Sequence, residues 1–177
     1  KSRTEHFIGA STLTDNWEKI YKPIKSLVDR ASSGEGDAPQ VIWVAPSDRH
    51  WIQSETMFNR MKSLKNLVSD KYFSLMIPID GADDRDGIRN WRSQLGELKE
   101  QSEKVCSGFL DGIVELIIVP ERIAVVVYHL QRSNEPVTIP LGFITEDKSL
   151  VKKIKANYES YFDGYSESLE NRQLGSL

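Results

Sequence analysis

Val114-Glu115-Leu116-Ile117-Ile118-Val119-Pro120-Glu121-Arg122-Ile123-Ala124-Val125-Val126-Val127 decides the fold. Two apolar runs rich in Val and Ile flank a short polar break. Branched side chains crowd a helix but pack well on a pleated surface, so both runs predict strands, Gly112–Val119 and Arg122–Leu130. Pro120-Glu121 is short enough for a tight turn, which makes the pair an antiparallel hairpin. Downstream, Thr138–Ile144 reads as one more strand. Leu150–Phe162 then places Val151, Ile154, Tyr158, Tyr161 and Phe162 on one helical face.

Upstream of the hairpin, strands and helices alternate. Thr4–Ala10 is a short β-branched and aromatic strand entering a Ser/Thr loop. Thr14 or Asp15 is placed to cap a helix carrying Trp17, Ile20, Tyr21, Ile24, Leu27 and Val28, with Pro23 inside it as a kink or restart. Val41-Ile42-Trp43-Val44 is apolar on both faces, as in a parallel strand covered by helices on both sides. A helix from about Trp51 to Ser69 and a strand over Lys71–Ile79 follow. Ile88–Val105 reads as a further, weakly apolar helix. The expected class is α/β: a mixed, mostly parallel sheet flanked by helices, forming one domain over residues 1–165, with a polar tail at 166–177.

The 177 residues suffice for one core without staples. Their 23 Lys+Arg against 26 Asp+Glu give a net charge of −3, which argues against a general nucleic-acid binder. A single cysteine, Cys106, excludes an intrachain disulfide. No apolar run approaches the roughly 20 residues of a membrane span, and no signal peptide is visible, so the expectation is a cytoplasmic protein without membrane contact. The absence of an initial Met suggests a fragment or a processed form.

His6, His50 and His129 show no metal-ligand spacing, and they read as surface or capping residues. The acidic loop Asp80–Gly87 lacks the ligand pattern of a calcium loop, since Ala82 and Ser93 fall at oxygen-donor positions. No glycine-rich phosphate loop follows any strand. Neither a cofactor nor a metal is expected. Ligands of open α/β sheets sit at the carboxyl ends of parallel strands. Here those ends run into Ser11 and Thr12, into Asp48, Arg49 and His50, and into Pro78–Asp80.

Gly112–Phe162 resembles the second portion of a phospholipase D-like half domain. In that family one strand carries His-x-Lys-x-x-x-x-Asp, a turn follows, and a second apolar strand runs on. The matching stretch here is Val114 to Glu121, followed by Arg122–Val127, and Leu150–Phe162 resembles the terminal helix. The N-terminal strand, loop, helix and Val41–Pro46 strand fit the same topology. In this register the histidine position is Val114, the lysine position Leu116 and the acid position Glu121. Valine cannot attack phosphorus, and leucine cannot hold an oxyanion.

The resemblance therefore implies a non-catalytic member, such as the ligand-sensing or dimerising domains of prokaryotic regulators. Its ligand would be small and polar or phosphorylated, held by Ser11, Thr12, Asp48, Arg49 and His50, with Arg122 added if the hairpin turn faces the same cleft. That architecture joins two halves about a pseudo-two-fold, so a single half implies a homodimer, with Trp51 or Trp91 faces or the hairpin strands as contacts. DNA would be reached only through a separate domain, such as a helix-turn-helix before Lys1. Two alternatives stay open. One is a phosphodiesterase-type hydrolase using His50, Asp48, Ser11 and His129. The other is a protein–protein interaction module.

Overall fold

The computed structural model of the chain describes residues 3–9, 16–46, 55–68, 72–79, 103–107, 113–131 and 138–170. The elements in chain order are β1 (Thr4–Ile8), α1 (Trp17–Ser32), β2 (Val41–Val44), α2 (Glu55–Leu67), β3 (Phe73–Ile79), β4 (Glu103–Ser107), β5 (Val114–Val119), β6 (Ile123–Gln131), β7 (Thr138–Thr145) and α3 (Lys148–Glu170). The strands form one seven-stranded sheet in the order β1-β7-β6-β5-β2-β3-β4.

The α/β class and the mixed sheet agree with the sequence reading; the share of parallel pairing is smaller than it predicted. Among the described residues, only β2–β3 and β3–β4 are parallel. The other four pairings are antiparallel, because β1 crosses to the far edge and lies against β7 instead of beside β2. Alternation of strand and helix specifies the crossover but not the edge to which the strand goes. A second difference concerns Val105 and Cys106. They lie in β4, parallel to β3, rather than at the end of a helix. The closing helix is also longer than its apolar stripe suggests and runs to Glu170.

The strand pleat sends alternate residues to opposite faces, which divides the core into two layers. Trp43, Ile117, Val125 and Val127 point to the layer filled by Ile20 and Ile24 of α1 and by Met61 and Leu64 of α2. Ile42, Val44, Val114, Leu116, Ile118 and Val126 point the other way, against Ile154 and Tyr158 of α3. All six residues of β5 are buried. Helix α1 continues through Pro23, and its N-cap is Asn16, with no side-chain capping bond. At α3 the cap is Asp147, whose Oδ1 accepts the Leu150 N–H at 3.0 Å.

The hairpin closes as expected. Arg122 N–H donates to the Val119 carbonyl at 3.0 Å, and Glu121 takes φ 61°. A turn of this kind, with Pro120 at its first corner, favours glycine at the second, because a Cβ in the left-handed region meets the following carbonyl. Glu121→Gly is expected to stabilise the fold by about 0.5–1 kcal/mol, after glycine's greater chain entropy is offset. Urea denaturation of the two proteins reads the difference.

Candidate functional site

A carboxylate inside an apolar strand must find donors, and Glu115 finds two. It lies on the layer beneath α1 and α2, wholly buried. Its Oε2 accepts the Trp43 indole N–H at 2.7 Å. Its Oε1 meets His129 Nε2 at 2.9 Å, with the two side chains 1% and 5% exposed. Three neighbouring strands, β2, β5 and β6, thus each contribute one member. Trp43 continues the chain of contacts outward: its ring centroid lies 6.5 Å from that of Trp17, and the Arg60 guanidinium sits 5.4 Å from the Trp17 ring centroid. The His129 N–H donates to the Ile113 carbonyl at 2.8 Å, which holds β6 to the start of β5.

The register locates this network on the sheet. Leu116 pairs with Val44, Val114 with Tyr128, Tyr128 with Leu141, and Leu141 with Ile8. The carboxyl ends of β1, β2 and β3 therefore share a rim with Val114 and His129. That is the rim from which the ligand loops were expected to leave. Ser11, Thr12, Asp48, Arg49 and His50 themselves lie outside the described residues, as do Trp51, Trp91 and the Asp80–Gly87 loop. Gly9 and Pro46, where two of those loops depart, are not neighbours: β1 and β2 stand four strands apart, about 19 Å at ordinary strand spacing.

Arg122 is at the opposite rim. Its turn sits at the amino end of β2, with Thr4 of β1 and Thr145 of β7 nearby. It lines a cleft of about 420 Å³ with Arg3, Ser26, Glu121, Glu146 and Lys148. The hairpin turn thus faces a different cleft from the one the strand ends would form. His6 is exposed on β1, beside the Phe143 ring at 5.9 Å between centroids. His129, read from sequence as a surface or capping residue, is buried instead. Glu115 was visible in the sequence only as the one charge in an apolar run, and that was the available signal. A strand buried on both faces cannot solvate a carboxylate, so the residue had to be paired.

Among the described residues, no group of three His, Cys, Asp or Glu side chains could hold a metal ion. No helix described is long and apolar enough to cross a membrane.

No family model and no curated protein matches this sequence. Solved structures do. A phospholipase D family member, Nuc from Salmonella typhimurium, superposes with a TM-score of 0.52 at 11% identity, over 90% of this chain and 95% of that one. NucT from Helicobacter pylori gives 0.43 at 13% identity, with the same coverage. The likeness to Nuc is one of fold, and the chain has a phospholipase D-like fold.

Proposed function

We propose that this phospholipase D-like chain is a non-catalytic domain that binds a small polar or phosphorylated ligand and serves a larger regulatory protein. The observation that supports this reading is the setting of Val114 and Leu116. They occupy the nucleophile and cation positions of the family motif in the register given above. Both are buried, 2% and 4% exposed, in an all-apolar layer packed on Ile154 and Tyr158. An imidazole and an ammonium there would be taken out of water among apolar side chains, and the residues present can neither attack phosphorus nor neutralise it. Glu121, at the acid position, sits in the turn at the opposite rim. Ligand groups would come from Asp48, Arg49 and His50 after β2, with Ser11 and Thr12 leaving from β1.

The test is a phosphodiesterase assay on bis(p-nitrophenyl) phosphate and single-stranded DNA, with and without divalent metal, run beside thermal melts against nucleotides and sugar phosphates. No turnover above background is expected, together with a ligand-dependent rise in melting temperature that Arg49→Ala removes. Turnover abolished by His50→Ala would sink the reading.

One observation favours the hydrolase alternative. His129 is held through Nε2 by a carboxylate, the arrangement by which an imidazole is oriented for nucleophilic or general-base work. His129 is 5% exposed and would have to be uncovered to meet substrate, so this reading requires turnover that His129→Asn abolishes while circular dichroism shows the fold intact.

A further inference from the structure

The cleft at the hairpin rim, about 420 Å³ in volume, is of a size that takes a small molecule. Its apolar lining comes from Pro23 and Leu27 of α1 and from the buried Ile123 of β6. Its charged lining is three cations, Arg3, Arg122 and Lys148, and two carboxylates, Glu121 and Glu146. Among the described residues, none of these five side chains makes an ion pair or a hydrogen bond. Opposite charges on the adjoining flank do pair: Lys19 with Glu5, Lys22 with Glu18 at 3.5 Å, and Lys25 with Asp29 at 2.7 Å. The cleft thus holds charges of both signs apart. The backbone that presents them is fixed. Glu146 N–H donates to the Arg3 carbonyl at 2.9 Å, the Thr4 and Thr145 hydroxyls lie 2.7 Å apart, and Asp147 N–H donates to Thr145 Oγ1 at 3.1 Å. Lys148 follows directly as the first residue of α3.

We infer that this cleft binds a small zwitterion, a molecule carrying a phosphate or carboxylate at one end and a primary ammonium at the other. Three features carry the choice of ligand. First, both signs are present and unpaired. Arg3 and Arg122 offer planar guanidinium forks that match a carboxylate or phosphate, with Lys148 as a point charge. Glu121 and Glu146 accept from an ammonium and repel a simple anion, while the three cations repel a simple cation. A nucleic acid, with its even run of negative charge, meets carboxylates here as well as cations. Second, Glu121 holds φ 61° at a turn position that favours glycine. Strain kept in a residue that lines a cleft points to a use for its side chain, here the carboxylate. Third, the hydrogen bonds of Arg3, Glu146 and Asp147 order the cleft's backbone before any ligand arrives, so binding costs little reorganisation. The inference is independent of the ligand groups proposed at the strand ends, and it holds whether or not the chain is catalytic.

The experiment is a titration of the full chain followed by the backbone amide signals in NMR, with ligand up to about 10 mM. The probes are phosphoethanolamine and 5-aminovalerate, each beside its halves: phosphate and ethylamine for the first, valerate and pentylamine for the second. The expected result is saturable shifts at the amides of Ser26, Arg122, Glu146 and Lys148, with at least one zwitterion binding about 10-fold or more tighter than either of its halves. The tighter of the two probes identifies the anionic group. Arg122→Gln/Lys148→Gln should weaken the zwitterion about 10-fold or more. Glu121→Gln/Glu146→Gln should weaken it similarly while leaving phosphate or valerate no weaker. The same spectra report the fold of each variant. Failure of both zwitterions to saturate would overturn the inference. So would a half that binds as tightly as the whole, a titration that both double variants leave unchanged, or shifts confined to Ile8, Tyr128 and His129 at the other rim. Arg49→Ala should leave this titration as it is, so the cleft and the strand-end site fail separately.

Discussion

Gly142→Ala is expected to cost about 3–5 kcal/mol, enough to remove much of an ordinary folding margin. Gly142 sits in the middle of β7, between Phe7 of β1 and Val127 of β6. Its backbone is not in the left-handed region, so the requirement is for space. A Cβ built there would overlap the Val126 carbonyl oxygen and lie 2.9 Å from the Val126 carbonyl carbon and 3.0 Å from Val127 Cα. All three are main-chain atoms that no rotamer change can move. β6 and β7 would have to part along a ladder that pairs Ala124–Gln131 with Thr138–Thr145. Urea denaturation followed by circular dichroism measures the loss, and Gly142→Ser should behave alike. An alanine variant within 1 kcal/mol of the parent would mean that the two strands do not approach as closely as described.

The second large effect concerns the buried carboxylate. His129→Leu is expected to destabilise by about 3–5 kcal/mol, since it leaves Glu115 in the core with only the Trp43 indole as its described side-chain donor. Trp43→Phe should cost about 1–3 kcal/mol for the lost N–H donor, apart from any loss of packing. Restoring consistency should help more than restoring charge. Trp43→Phe/Glu115→Leu/His129→Leu together should recover most of the loss, because burying charged and polar groups costs about as much as their mutual bonding returns. Chemical denaturation of the wild type, the three single variants including Glu115→Leu, and the triple variant gives the non-additivity directly. If His129→Leu costs under 1 kcal/mol, or the triple variant is worse than the single, the network is not what satisfies Glu115.

Much of the fold was legible because it depends on local pattern. The hairpin was readable from Val114–Val127, since branched residues, a proline and a short polar break all point the same way. The burial of β2 on both faces was readable from four consecutive apolar residues. The closing helix was readable from the spacing of Val151, Ile154 and Tyr158. What was not legible depends on which strand lies beside which. The sequence of β1 is equally compatible with pairing to β2 or to β7. Only the second occurs, and it separates Gly9 from Pro46, the last described residues before Ser11 and Asp48 in the chain. Val105 carried too few neighbours of either period to be told from a helix end. Arg122 lies at the far rim because hairpin polarity, which no residue type encodes, turns it away from the strand ends.

By itself, then, the sequence determined the class of the domain and the hairpin, since residue type and spacing are local quantities. The tertiary structure alone decided the rest. It showed that Glu115, Trp43 and His129 meet, and that Val114 and Leu116 are sealed beneath α3. It also brought Arg3, Glu121, Arg122, Glu146 and Lys148 to one cleft. Each of those facts joins residues far apart in the chain. Contacts of that kind are set by strand order and register, which follow from the global balance of burial and pairing rather than from any one segment.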